Sequence, residues 1–170
     1  MPTVIRGSSG GNVITDSTYT PGMVIQYQST QSNSFLSVGG TTPWDDTIPQ
    51  SGEGTEVFAV SITPKFTNSK LFIESRVFFS PSAKNWCVLA FHQDSAANAI
   101  AATGLYSNEV NGAMPVSLGH TMTAATTSAT TFKVRLGSAT PVTLNVNGPS
   151  GARKLGGVMS SYVSVWEIAQ

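Results

Sequence analysis

The feature that most restricts the fold of this chain is an alternation of apolar and polar side chains with a period of two. It recurs in segment after segment, several of them closed by Gly or Pro. Met23, Ile25 and Tyr27 alternate with Val24, Gln26 and Gln28. Phe58, Val60 and Ile62 form one face of a segment that Pro64 ends. Leu71, Ile73, Val77 and Phe79 alternate with Phe72, Glu74, Arg76 and Phe78 as far as Pro81. Trp86 to Gln93 is densely apolar. Val116, Leu118, His120 and Met122 share a face, and so do Phe132, Val134 and Leu136. Val142, Leu144 and Val146 read as a hairpin return from that last segment, and Tyr162 to Ile168 closes the series. A period of two places alternate side chains on opposite sides of an extended backbone, which is the signature of a strand. Ala96 to Leu105 fits a strand edge or a helical turn equally well. No segment carries an amphipathic helical pattern. The expectation is an all-β fold of about eight strands, an antiparallel β-sandwich or jelly roll spanning residues 21–170.

Two segments have large apolar side chains on both faces. In 70–80, Phe72 and Phe78 lie opposite Leu71, Ile73, Val77 and Phe79; in 160–168, Tyr162 and Trp166 lie opposite Val163 and Val165. A sheet with one face in water should be polar on that face. These four outward aromatics, Phe72, Phe78, Tyr162 and Trp166, are therefore expected at a subunit interface. The alternative is that the long connection 29–55, with its Gly and Pro punctuation, covers one outer face. Residues 1–20 are rich in Gly, Ser and Thr, broken by Val4-Ile5 and Val13-Ile14. Such a segment cannot fold alone. It reads either as a floppy tail or as an anchoring arm that docks through Val4, Ile5, Val13 and Ile14.

Composition narrows the function. Only 11% of residues are charged, and nine basic residues balance nine acidic ones. Serine (22) and threonine (20) supply the polarity instead. Without a basic surplus, neither nucleic acid nor an anionic membrane is an expected partner. No apolar run approaches the ~18 residues that would span a bilayer. The N-terminus lacks the basic start and apolar stretch of a signal peptide, and no Asn-X-Ser/Thr sequon occurs. The expected site of synthesis is a cytoplasm. The single cysteine, Cys87, sits among apolar neighbours and reads as a buried, inert thiol.

The catalytic inventory is thin. His92 and His120 each lie on an apolar strand face, suiting a satisfied core or interface residue; a cluster at a symmetry axis is the sharper alternative. No Cys/His spacing supplies a metal site within one chain. Asp45-Asp46, with Glu53 and Glu56 downstream, matches neither a calcium loop nor a pair of glycosidase carboxylates. Gly7-Ser8-Ser9-Gly10 is not a nucleophile elbow, and no phosphate-binding or dinucleotide fingerprint occurs. No catalytic residue, cofactor or metal is expected. Trp44, Asp45, Tyr106 and the basic pair Arg153-Lys154 carry the residue types that recognise saccharides, and these loops are candidate receptor contacts.

Several segments together carry a resemblance. They are Thr20 to Gln26, Asp45 to Gln50 with Glu53 to Glu56, Val60 to Lys65, Leu118 to Ala124, and Val165 to Ile168. In these the chain resembles the small trimeric β-sandwich domains of tailed-bacteriophage tail and head fibres, over about residues 20–168. The resemblance implies a jelly-roll-like subunit, a homotrimer and a place on the virion. Residues 1–20 would join it to another virion protein, and such a fibre would touch the host surface, where the loops named above would meet a host-surface saccharide. A capsid-decorating or tail-assembly protein with no receptor role is the alternative.

Overall fold

A computed structural model describes residues 19–170. Ten strands form in chain order: β1 (Val24–Ser32), β2 (Leu36–Val38), β3 (Thr55–Ile62), β4 (Lys70–Pro81), β5 (Asn85–Gln93), β6 (Ala101–Ser107), β7 (Met114–Thr123), β8 (Thr130–Ser138), β9 (Leu144–Val146) and β10 (Ser161–Ile168). Seven of the eight long ones match segments read as strands from the sequence; the eighth is β6, and the segment 142–146 yields only the short β9. The Ala-rich stretch resolves as strand: its second half becomes β6, because β5 offers it a complete antiparallel partner from Asn85 to Phe91.

The strands form two antiparallel sheets. Leaving aside three-residue β2 and β9, the larger sheet runs β1-β10-β4-β7 and the smaller β3-β8-β5-β6. Successive strands mostly change sheet, so the chain wraps the core instead of folding back beside itself. This is a jelly roll. One expectation is corrected here. The segment 142–146 does not return as a hairpin on β8; β9 crosses to the larger sheet and pairs with β2 and the end of β4.

The core lies between the sheets. Leu71, Ile73, Val77 and Phe79 of β4 meet Phe58, Val60 and Ile62 of β3 and Phe132, Val134 and Leu136 of β8 in one buried cluster. Each such side chain contributes roughly 1.5–3 kcal/mol on leaving water. At one corner the exposed edges of β1 and β3 are bridged by side chains: Thr30 Oγ1 donates to the Ala59 carbonyl and Gln26 Nε2 to the Thr63 carbonyl, each at 2.7 Å.

One core position breaks the apolar pattern. Glu167 follows Val163 and Val165 on the inward face of β10 and is 0% exposed. Its carboxylate accepts hydrogen bonds from the Lys65 N–H (2.8 Å), the Phe66 N–H (3.1 Å), the Ser69 hydroxyl (2.7 Å) and the Gln26 side-chain amide (2.6 Å). Burial pushes its pKa up, but these four donors outweigh burial and hold the carboxyl below its ordinary range. The residue staples the β3–β4 connection to the end of β10.

Candidate functional site

The two outer faces of the sandwich differ, and the difference defines the site. On the smaller sheet, β5 turns Trp86, Val88, Ala90 and His92 outward, yet Val88, Ala90 and His92 are buried. The cover is the connection 39–54. Thr41 bridges to Ser138, the Thr42 N–H donates to the Ser138 carbonyl at 2.9 Å, and Gln50 bridges to Asn98. Arg135 clamps the far end: its Nε donates to the Glu53 carbonyl at 2.7 Å and its Nη2 to the Gly54 carbonyl at 3.0 Å. Val88 pairs across strands with two glycines, Gly104 and Gly137. A Cβ on Gly104 would overlap the Trp44 ring, and one on Gly137 would overlap Thr42 Oγ1. The missing side chains are what lets the strap lie flat. The long connection does cover an outer face, but not the one that carries Phe72 and Trp166.

Among the described residues, no strap covers the outer face of the larger sheet. Strand register brings together all four aromatics expected at an interface. Trp166 lies opposite Phe72 on one side and Tyr27 on the other, with ring centroids 5.4 and 5.0 Å away. Four residues back along β10, Tyr162 lies opposite Arg76. The Tyr162 hydroxyl donates to Glu74 Oε1 at 2.6 Å, and that bond pushes its pKa up. The Arg76 guanidinium sits 4.9 Å above the Phe78 ring. The loop before β10 borders this face with Leu155 and Val158, which are 69% and 82% exposed. Sheet and loop enclose an open groove of about 740 Å³. Ser29, Gln31 and Ser164 supply its polar floor.

The candidate receptor residues do not form one surface. Trp44 stacks on Trp86 at 4.0 Å and 7°, and Tyr106 meets the same Trp86 ring at 5.5 Å. That aromatic trio lies on the strapped face. Asp45 follows in the strap, where the Thr47 hydroxyl and then the Thr47 N–H (2.9 Å) both donate to its Oδ1 and hold its pKa down. Arg153 and Lys154 belong instead to the loop that borders the open face of the other sheet. The sequence supplied no register by which to separate them.

His92 and His120 are also apart. His92 lies under the strap, where burial, with Arg135 and Lys133 adding to it, lowers its pKa. His120 pairs with Ile73 on the core side of β7. Among the described residues, no three His, Cys, Asp or Glu side chains converge as metal ligands would. Cys87 is buried, with its thiol pushed up to about 11 by burial. The arm residues Val4, Ile5, Val13 and Ile14 lie outside the described residues.

Sequence reasoning missed Glu167 and Arg135. A lone acid on an otherwise apolar strand face was the available signal for the first. For the second there was none, because its hydrogen-bond partners are backbone carbonyls.

No known protein family matches this chain, and no curated protein is significantly similar to it in sequence.

Proposed function

We propose that this chain is a bacteriophage virion structural protein: a short homotrimeric fibre or knob, made in the bacterial cytoplasm, held to the particle by residues 1–20 and touching the host surface. The observation that carries this reading is the open outer face of the larger sheet. Tyr27, Phe72, Phe78, Tyr162 and Trp166 gather there with Glu74, which accepts from the Tyr162 hydroxyl, and Arg76, which lies over the Phe78 ring, while the opposite face is covered by the chain's own strap. Aromatic residues with an arginine among them, and few other charges, are the composition of an interface centre. Three copies in place of two is implied by the resemblance to fibre domains.

Light scattering on the purified chain tests the assembly. An oligomer is expected, and Trp166→Glu is expected to reduce it to monomer, because a charge in an interface centre has no partner. Monomeric wild-type protein at micromolar concentration would overturn the reading. A chain lacking residues 1–20 is expected to stay oligomeric but to fail to join particles.

A specific observation favours a second reading, a capsid-decorating or tail-assembly protein with no receptor role. The residues suited to a saccharide divide between two opposite faces of the sandwich, so they do not converge on one ligand. Competition between the soluble protein and phage for adsorption to host cells separates the two readings.

A further inference from the structure

The tripeptide Val-Asn-Gly occurs twice, at 110–112 and at 146–148. Both asparagines have left-handed backbone, each with φ 59°. Their surroundings differ completely. Asn147 is 1% exposed. Its Nδ2 donates to the Ser32 and Ser34 carbonyls at 2.9 Å each, and its Oδ1 accepts from the Ser161 hydroxyl at 2.7 Å. The next residue is equally confined, since a Cβ on Gly148 would overlap the Ala152 carbonyl. Asn111 lies exposed in the connection between β6 and β7. Its backbone N–H donates to the Pro81 carbonyl at 2.8 Å. Its side-chain amide has no hydrogen-bond partner among the described residues, and neither has the Gly112 N–H.

We propose that Asn111 is a site of spontaneous deamidation, and that the fold protects Asn147 from the same reaction. Glycine in the following position leaves the backbone nitrogen sterically open to attack. The Gly112 nitrogen gives up its proton to solvent base and attacks Asn111 Cγ. A new N–Cγ bond closes a five-membered imide, the Cγ–Nδ2 bond breaks, and ammonia leaves with a proton from solvent. Water then opens the ring at either carbonyl, giving aspartate or isoaspartate. At Asn147 the same attack requires three hydrogen bonds to break and a packed turn to open first.

The product matters because the formal net charge of the chain is zero. Each event adds one negative charge, beside Glu109. The isoaspartate product also lengthens by one carbon the connection that carries the chain from one sheet to the other. An exposed isoaspartate is a substrate for carboxyl methyltransferases that recognise that linkage.

The test is peptide mapping by mass spectrometry of the intact protein held at mildly alkaline pH, with a parallel sample in denaturant. In denaturant both asparagines are expected to react at similar rates, since their flanking residues are the same. In the native protein Asn111 is expected to keep its denatured-state rate within a few-fold, while Asn147 slows by more than about tenfold because it reacts only through local opening. A band of lower isoelectric point grows with time in the wild type and not in Asn111→Asp. Equal native rates at the two sites, or an Asn111 that reacts only in denaturant, would overturn the proposal.

Discussion

Replacing Glu167 by glutamine keeps the shape of the side chain and removes its charge, which isolates what the buried carboxylate contributes. Oε1 accepts from Lys65, Phe66 and Ser69, and Oε2 accepts from Gln26 and, at 3.0 Å, again from Lys65. An amide nitrogen at either position therefore faces a donor. Gln26 cannot turn its own amide to help without cost, because its Nε2 also holds the Thr63 carbonyl. Hydrogen bonds to a charged acceptor are worth roughly 1.5–3 kcal/mol, neutral ones about half that, and an unpaired buried donor costs about 1–3 kcal/mol. Losing the charge and setting one donor against another should cost about 2–4 kcal/mol. In a domain of this size that lowers Tm by roughly 5–15 °C.

The pH dependence is a second, independent readout. The folded pKa of Glu167 lies below its ordinary 4.5. Its stabilising contribution is therefore fully present above the unfolded value and is lost as pH falls from about 4.5 through the lowered folded value. Thermal melts of wild type and Glu167→Gln across pH 3–7 should show a gap that is constant near neutrality and narrows in acid. A variant as stable as the wild type, or a gap unchanged between pH 6 and pH 3, would refute the assignment of a buried, ionised staple.

Two further outcomes follow from packing. Gly104→Ala should push the Trp44 ring off Trp86, at a cost of about 1–3 kcal/mol for overpacking; near-ultraviolet circular dichroism should lose the coupled signal of the stacked pair, and an unchanged spectrum would count against the strap geometry. Cys87 should resist maleimide at pH 8 in the native protein and react once denatured, because moving its pKa from 9.0 to about 11 lowers the thiolate fraction about 100-fold even before access is considered; rapid native labelling would place the thiol elsewhere than the core.

The period-two pattern by itself determined the fold class, because alternation is a local property of the backbone. Any chain that buries Leu71, Ile73, Val77 and Phe79 on one side must turn Phe72, Glu74, Arg76 and Phe78 to the other. The same reasoning exposed the misfit of two-sided apolar strands. What alternation cannot carry is which strand lies beside which. Whether β9 returns to β8 or crosses to β4 depends on partners remote in sequence. So does the meeting of Phe72, Trp166 and Tyr27, which lie on three strands far apart along the chain. The strap is likewise invisible locally: Gly104 and Gly137 are two ordinary glycines until register sets both beside Val88 and leaves room for Trp44 and Thr42. Two identical Val-Asn-Gly tripeptides make the division plainest. Sequence gives them the same chemistry; only the tertiary structure, by engaging one carboxamide with Ser32, Ser34 and Ser161, makes them different.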